Sequence, residues 1–346
     1  MEIKDLSEAF GERIVWESAV QAAAGLVVGL DGTVLDVGGN LGAVAIGFGR
    51  ITGPVGKVYT FEPNPRLWPT IFRNIAINNA STVTHVPLAV SDVSLEVKNF
   101  FCEDSFYEAG SGFHDPGGLS KPISVTTVSL DDWCEANNVS PDLIKIDIEG
   151  GEIFALIGAS RTLRRVAPSL IIEYATNSEE GEHNPLQFLQ KFGYRFFDAN
   201  LLEEATPESY KSMYPNAGVM VNVLAVAEPK LRPLTAVLDA FTDIEIDVPQ
   251  LARNDIVLPR LDPGLHRFLI ELVVGKPEAK GSLALKTKKG DLVCFYEARL
   301  DHLSKHCCSA LLAQIRPGEE NLLVSLNTED AGARIEKVVI RRFGSS

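Results

Sequence analysis

Three charged side chains stand close together in the segment Lys145-Ile146-Asp147-Ile148-Glu149-Gly150. Because side chains alternate along a strand, Lys145, Asp147 and Glu149 are expected on one side as the chain leaves a sheet. A carboxylate placed there could take a proton from an alcohol, and Asp147 is our first candidate for such a base. Asp147 and Glu149 could instead hold a divalent cation. Two carboxylates are too few to predict a metal site.

His183 is the second candidate base, in the segment Glu182-His183-Asn184-Pro185 after a predicted fifth strand. Its loop is expected at the same edge of the sheet, where ligands bind in open α/β proteins. An exposed loop histidine without a chemical role explains the residue equally well. Glu173, at the end of the predicted fifth strand, could complete either the proton-transfer or the cation-binding arrangement.

A glycine turn in Asp36-Val37-Gly38-Gly39-Asn40-Leu41-Gly42 separates a predicted strand from a predicted helix. Such a turn lets the backbone approach a ligand while helix N–H groups point towards it. The third glycine of the dinucleotide pattern G-x-G-x-x-G is missing. Asp36 would repel a pyrophosphate and can attract an amino group. The turn therefore favours S-adenosylmethionine over NAD.

Two further polar segments follow the next predicted strands. In Phe61-Glu62-Pro63-Asn64, the Glu62 carboxylate lies 20 positions after Gly42 and can accept both hydroxyls of a ribose. In Ala89-Val90-Ser91-Asp92, a hydroxyl and a carboxylate could read an adenine amino group. A turn capped by Ser91 and Asp92 is an equally good interpretation.

The elements that position these residues alternate between strands and helices from Thr33 to Val226. This alternation predicts a doubly wound, Rossmann-like α/β domain with seven strands. A polar, glycine-containing segment from Cys102 to Pro122 interrupts it and is typical of a lid loop. The expected strand Ser124–Val128 follows that loop.

The pattern changes after Glu228-Pro229 to closely spaced strands, which predicts a jelly-roll-like β-sandwich. We place the domains at 1–229 and 230–346, with a cleavable linker near Pro229 to Pro233. The second domain could bind a glycan, but all three tryptophans lie outside it. An interaction or homodimerisation role is at least as well supported.

The net charge of −14 also divides at this point. Residues 231–346 contain 16 basic and 16 acidic residues, so the totals of 32 and 46 leave 16 basic and 30 acidic residues in 1–230. A strongly acidic domain repels phosphate backbones, and nucleic acid is not an expected partner. The five cysteines, without a C-x-x-C pair, and the lack of a long apolar run predict a cytoplasmic protein without membrane insertion.

Taken together, the four motifs resemble the FkbM family of methyltransferases over about residues 30–200. The resemblance implies a class I methyltransferase fold, S-adenosylmethionine as donor, and usually a hydroxyl on a sugar or secondary metabolite as acceptor. It places Asp36, Gly38 and Gly42 in the cofactor loop, together with Gly39 and Asn40 of the same turn. Gly39 is a departure, since relatives commonly have Ala there, and we expect the smaller residue to leave binding intact.

The same resemblance assigns the remaining motifs. Glu62, within Glu62-Pro63-Asn64, corresponds to the ribose ligand, Ser91 and Asp92 to the adenine end, and Asp147 with Glu149 to the fourth-strand motif. Two other function classes stay open at this point. An NAD-dependent oxidoreductase would share the fold and Glu62, and a glycan-binding or interaction protein could use the α/β domain as a scaffold.

Overall fold

The computed structural model describes residues 17–102, 111–113, 122–176, 178, 181, 183–199, 202–213, 220–239, 243–247, 255–258, 260–261, 264–273, 280–287, 292–299, 306–315, 322–328 and 334–343. The chain divides into two compact units. The first comprises mainly residues 23–199 and 203–232, and the second mainly residues 233–346.

The first unit is built from helices and strands in alternation. Its helices are α1 (Ser18–Val27), of which the part from Ala23 onwards belongs to this unit, α2 (Ala43–Thr52), α3 (Trp68–Ile77), α4 (Leu130–Asn137), α5 (Glu152–Ile157), α6 (Ser160–Arg165), α7 (Pro185–Gln190) and α8 (Pro207–Met213). Its strands are β1 (Thr33–Val37), β2 (Lys57–Phe61), β3 (Val83–Val86), β4 (Ala89–Val90), β5 (Val97–Phe101), β6 (Pro122–Val128), β7 (Leu143–Ile146), β8 (Ser169–Ala175), β9 (Tyr194–Asp198), β10 (Glu204–Ala205) and β11 (Met220–Ala227).

The central sheet has eight strands in the order β10-β9-β11-β8-β7-β1-β2-β3. Strands β3, β2, β1, β7 and β8 are parallel neighbours, whereas β11 runs antiparallel to both β8 and β9. The chain winds from β1 towards β3 on one side and resumes at β7 on the other. The expected doubly wound α/β architecture is therefore confirmed, and its central sheet has eight strands, among them the two-residue β10, where seven strands were predicted.

The middle of the sheet is buried because helices cover parallel strands on both faces. Every residue of β7 is buried, as are the last four residues of β1. Two charged residues interrupt this apolar core, namely Asp36 in β1 and Lys145 in β7. They are register partners on neighbouring strands. A charge costs free energy when it leaves water, so this buried pair needs a specific explanation.

One predicted strand belongs to a different sheet. The predicted strand Ser124–Val128 is part of β6, which pairs with β4 and β5 in a separate three-stranded sheet. The loop expected between Cys102 and Pro122 lies mostly outside the described residues. Within it, Gly112 forms a bridge with Phe101.

Residues 229–233 are helical rather than an extended linker, since they fall inside α9 (Glu228–Asp239), which contains Pro233. The strands of the second unit are β12 (Asp243–Asp247), β13 (Asp255–Val257), β14 (Gly264–Val273), β15 (Lys280–Thr287), β16 (Leu292–Arg299), β17 (His306–Ile315), β18 (Leu322–Thr328) and β19 (Arg334–Phe343). They form two antiparallel sheets with the orders β12-β19-β14-β17 and β13-β18-β15-β16. Within the part of the chain that the structure describes, no helix has the length and apolar composition needed to cross a bilayer.

Candidate active site

The glycine turn at residues 36–42 and the charged segment at residues 145–149 follow β1 and β7, the two neighbouring strands at which the strand order reverses. β1 and β7 are adjacent and parallel, so the residues that follow them leave the sheet at the same edge. The amide of Asp147 donates to the carbonyl of Val37 at 3.0 Å, which joins the two strand ends. In open α/β sheets the crevice at such a reversal is the usual place for a ligand.

Gly38 and Gly39 are glycines because other atoms occupy the space of their side chains. A Cβ on Gly38 would lie 1.7 Å from the backbone oxygen of Asp147, and the residue has φ of +88°. A Cβ on Gly39 would lie 1.9 Å from Oγ1 of Thr60. The turn can therefore lie flat against β2 and β7 only without side chains at these two positions.

Asp36 is fully buried beneath this turn. Its Oδ2 accepts a 2.9 Å hydrogen bond from Oγ1 of Thr60, whereas its Oδ1 has no hydrogen-bond partner among the described residues. Burial raises the pKa of Asp36, opposed by the positive charge of Lys145 and the bond from Thr60. A buried carboxylate oxygen without a partner is costly, which indicates that a donor from a ligand or water completes the site.

Glu62 is held rigidly at the end of β2. Its Oε2 accepts from the amide of Asn40 at 2.9 Å, and its Oε1 accepts from the amide of Asn64 at 2.8 Å. Its backbone oxygen accepts from Trp68 Nε1 at 3.0 Å. Because a carboxylate oxygen can accept two hydrogen bonds, this fixed carboxylate retains the capacity to bind two hydroxyls. Asn40 has the left-handed φ of +45°, and Pro63 separates Glu62 from Asn64.

Ser91 and Asp92 contact each other and a lysine. The Ser91 hydroxyl donates to Asp92 Oδ1 at 3.0 Å, and Lys98 Nζ donates to Ser91 Oγ at 3.2 Å. Lys98 also lies 3.8 Å from Asp92 Oδ1. These contacts within the chain agree with the interpretation of Ser91 and Asp92 as residues that cap a turn. A role for Ser91 and Asp92 in recognising adenine remains a prediction.

Lys145, Asp147, Glu149 and Glu173 come together at the ends of β7 and β8. Lys145 is 2% exposed, and its Nζ donates to Asp147 Oδ2 at 2.8 Å. Carboxylate oxygens of Asp147, Glu149 and Glu173 all lie within 4.8 Å of one another. The spacing would suit a divalent cation, but exposed carboxylates cluster without one too, so the cluster alone does not assign a metal. Glu173 is the member that sequence reasoning mentioned without selecting.

The two carboxyl groups of Asp147 and Glu173 have opposite pKa shifts. Burial raises the pKa of Glu173 to about 9, and the negative charge of Asp147 adds to this effect. Burial acts in the same direction on Asp147, but the Lys145 ammonium and hydrogen bonds from Lys145 and Glu173 outweigh it and lower the pKa of Asp147. Asp147 is therefore ionised at neutral pH, while Glu173 carries a proton.

Glu152 was missed by sequence reasoning and shapes the loop after Asp147. Its buried carboxylate oxygen Oε1 accepts from the amides of Ile148 and Gly150, both at 3.1 Å. The residue between them, Glu149, has the left-handed φ of +56° and is exposed. The hydrogen bonds of Glu152 hold this uncommon conformation in place. An acidic residue in the first turn of α5 was the available signal.

His183 is exposed in the loop after β8, next to Asn184, whose side chain caps α7. Among the described residues, the cluster of three carboxylates does not include His183. The structure thus brings together Lys145, Asp147 and Glu149 but leaves the second candidate base apart from them. Its proposed role as a base stays a prediction.

A glycine turn and a fixed carboxylate after adjacent parallel strands are typical of α/β domains that bind nucleosides. Residues 36–196 match the family model described as the methyltransferase FkbM domain. This range contains every predicted cofactor-binding and catalytic residue. The resemblance to FkbM methyltransferases that the four motifs indicated is therefore confirmed over residues 36–196.

Two curated relatives match over part of their length. The 2-O-methyltransferase NoeI of Sinorhizobium fredii is 30% identical over 149 residues, which is 39% of this chain and 60% of that protein. The hexuronic acid methyltransferase AglP of Haloferax volcanii is 27% identical over 143 residues, or 39% of this chain and 53% of that protein. The chain thus spans between half and three-fifths of the length of these relatives.

A solved structure, the methyltransferase FkbM from Methylobacillus flagellatus KT, resembles the chain with 18% identity and a TM-score of 0.34. The similarity covers 56% of this chain and 43% of that one.

Proposed function

We propose that the first unit binds S-adenosylmethionine and transfers its methyl group to a hydroxyl group of a sugar or secondary metabolite. The observation that carries the proposal is the Glu62 carboxylate, fixed by the amides of Asn40 and Asn64 beside a turn that has no side chains at Gly38 and Gly39. A rigid acceptor pair next to a turn without side chains suits the vicinal hydroxyls of a ribose. The order of the long strands, with β11 antiparallel, supports the class I methyltransferase fold.

The residues present also fit the amino-acid end of this cofactor. The buried Oδ1 of Asp36 lacks a partner among the described residues and could accept from an ammonium group directly or through water. The same carboxylate would repel the pyrophosphate of NAD. Asp36, the turn from Gly38 to Gly42 and Glu62 would therefore hold S-adenosylmethionine, which supplies a methyl group already activated by its positively charged sulfur.

The chain's own contribution is to align an acceptor hydroxyl, exclude water and receive a proton. Asp147 is the proposed base, because it is ionised and lies at the strand end beside the glycine turn. Its ion pair with Lys145 fixes the direction of its carboxylate. Glu149 is proposed to contact the acceptor, since it is exposed and projects from the same strand end.

The acceptor class is supported by the names of the relatives. NoeI is a 2-O-methyltransferase and AglP acts on a hexuronic acid, so both names are consistent with an oxygen or sugar acceptor. We extend this class to the present chain as part of the proposal. Methylation assays should therefore begin with neutral monosaccharides and hexuronic acids.

Calorimetry with S-adenosylhomocysteine and NAD tests the cofactor. We expect the former to bind and the latter to give no heat above dilution. Glu62→Ala should weaken binding by about 1–3 kcal/mol, the cost of removing a charge-assisted acceptor from buried hydroxyls. Glu135→Ala is the matched control, because Glu135 is 74% exposed on α4. Binding of NAD without a response to S-adenosylhomocysteine would instead identify an oxidoreductase.

For the second unit, we propose a jelly-roll sandwich that acts in interaction or dimerisation. Successive strands alternate between the two sheets except at the hairpin β15–β16, and both sheets contribute fully buried side chains, among them Ile270 and Val338 in one and Leu285 and Val324 in the other. Such alternation is typical of double-sheet β-sandwiches. We place the boundary within α9, and sedimentation of the full chain against a chain ending at Asp239 measures the contribution of the second unit to assembly. A monomeric full chain would remove dimerisation from the proposal.

A further inference from the structure

The relation between Glu173 and Asp147 follows from the register of β7 and β8. Lys145 pairs with Ile171 and Ile146 with Ile172, so the next residues, Asp147 and Glu173, continue the same register at the strand ends. Neighbouring side chains in such a row lie close enough to interact. Carboxylate oxygens of the two residues lie within 4.8 Å of each other, and the charges around the pair favour a proton on Glu173 that is directed towards Asp147.

The charges around this pair favour a single negative charge. From β7, the ammonium of Lys145 faces it, and the loop after β7 adds the carboxylate of Glu149. Asp36 in β1 and Glu152 in α5 interact with Asp147 and supply further acidic groups. One buried ammonium cannot balance two ionised carboxylates in this environment, since adjacent like charges disfavour joint ionisation.

On the other side of β8, the neighbouring strand β11 places no cation opposite Glu173. β11 places Asn222 opposite Glu173 in the register, and its amide is neutral. The Oδ1 of Asn222 is buried and has no hydrogen-bond partner among the described residues. On this side, Glu173 therefore meets a neutral group, and Lys145 is the cation that acts on it from within the described part of the cluster.

We propose that Glu173 is a positioning residue that keeps its proton and donates a hydrogen bond to Asp147, so that the pair presents one carboxylate, that of Asp147, to the acceptor. This inference rests on the proposed methyl transfer. The acceptor hydroxyl gives its proton to Asp147 and keeps the electron pair of its O–H bond. Its oxygen then gains the bond to the methyl carbon, as that carbon gives up its bond to sulfur and leaves those electrons on the sulfur. The ammonium of Lys145 beside the doubly protonated pair favours return of the proton to solvent.

The variants Glu173→Gln and Glu173→Leu test whether Glu173 acts as a protonated hydrogen-bond donor or as an ionised carboxylate. A glutamine amide donates a hydrogen bond as the protonated glutamate does, whereas leucine fills the space without a donor. We expect carbon NMR titration to show that Asp147 remains ionised to low pH in the wild type and in Glu173→Gln, and that its pKa rises in Glu173→Leu. The infrared spectrum of the wild type minus that of Glu173→Gln at neutral pH should contain the band of a protonated carboxylic acid. Glu135→Gln on exposed α4 is the control and should give no such band.

Stability against pH provides a second readout that needs no cofactor. The folded protein holds the Glu173 proton more tightly than the unfolded chain, because burial raises the pKa from 4.5 to about 9. The resulting stabilisation is complete below about pH 4.5 and is lost as the pH rises towards 9. Glu173→Gln should remove this component of the pH dependence of urea denaturation, and Glu135→Gln should retain it.

Turnover and binding separate this inference from the proposed function. With S-adenosylmethionine and a panel of neutral and uronic monosaccharides, we expect Glu173→Gln to stay close to the wild type and Glu173→Leu to lose about 10²-fold or more in kcat, as loss of a positioned base would. Equal loss in both variants, or absence of the acid band, would overturn the role of Glu173. Lack of S-adenosylhomocysteine binding would overturn the proposed function, and the spectra and pH titrations of the free protein would still decide the state of the pair.

Discussion

Replacement of Gly39 by alanine tests how closely the glycine turn lies against β2. From the sequence we expected that glycine at position 39, where FkbM relatives commonly have alanine, leaves cofactor binding intact. In this structure the new Cβ would lie 1.9 Å from Oγ1 of Thr60, which no real pair of atoms tolerates. Either the turn moves, which destabilises the fold by about 1–3 kcal/mol as overpacking typically does, or the Thr60 side chain rotates and loses its hydrogen bond to Asp36.

The second route costs a similar amount, because a hydrogen bond to a charged buried group contributes about 1.5–3 kcal/mol. Gly39→Ala should therefore destabilise the first unit by about 1–3 kcal/mol. Thr60→Ala alone should cost about 1.5–3 kcal/mol through the lost bond. The double variant should be no less stable than Thr60→Ala, since the obstructing oxygen is gone and the Thr60 Cβ lies 3.3 Å from the new methyl group. The two changes are thus expected to be strongly non-additive.

Urea denaturation followed by tryptophan fluorescence measures this cycle, because Trp68 and Trp133 both lie in the first unit. Gly38→Ala is the contrast, since its Cβ would meet the backbone oxygen of Asp147 at 1.7 Å and no side-chain deletion can relieve that contact. A Gly39→Ala protein as stable as the wild type would refute the reasoning. So would a double variant destabilised by the sum of the single effects.

Two further predictions concern carboxylates that order loops. Glu152→Gln should lower affinity for the acceptor more than affinity for S-adenosylhomocysteine, because Glu152 holds the Ile148–Gly150 turn that presents Glu149. Calorimetry measures the affinity for S-adenosylhomocysteine, and the KM for the acceptor from turnover assays measures the other effect. Asp131→Ala should destabilise the first unit by about 2–3 kcal/mol without changing cofactor affinity, as it removes an acceptor of hydrogen bonds from Arg161 N and from Thr162 N and Oγ1. Urea denaturation checks the second prediction, and an unchanged midpoint would contradict it.

The sequence predicted the parts of the site that depend on strand order alone. Asp36, Glu62 and Asp147 each stand at a strand end, and parallel strands bring such ends to one edge whatever the details of packing. The match to the FkbM family model covers all three residues. The alternation along 145–149 likewise predicted correctly that Lys145 and Asp147 share a side, since Nζ donates to Oδ2.

What the sequence could not predict depends on register and close approach. The pairing of Glu173 with Asp147 requires the register of β7 with β8, and the conflict between Gly39 and Thr60 requires the separation of a turn from β2. The placement of β6 in a separate sheet reflects pairing with β4 and β5, which a local strand pattern does not specify. Residues 229–233 form a helix although they include two prolines. Pro229 lies in the first turn, where the amides have no partner within the helix, so its missing N–H costs little. Pro233 lies further inside the helix.

The acidic groups at this edge share one physical arrangement. Glu62 and Glu152 accept from backbone amides, and Asp147 accepts from Lys145, so each carboxylate is oriented by the chain before any ligand arrives. Donors and acceptors that are already oriented need little reorganisation during a reaction, which is how a polar site stabilises developing charge better than water does. Asp36 differs from these three, because one of its buried oxygens has no partner among the described residues. The other three carboxylates form their hydrogen bonds when the protein folds, whereas this oxygen of Asp36 can form one only when a donor binds. The free energy of that hydrogen bond therefore contributes directly to ligand affinity.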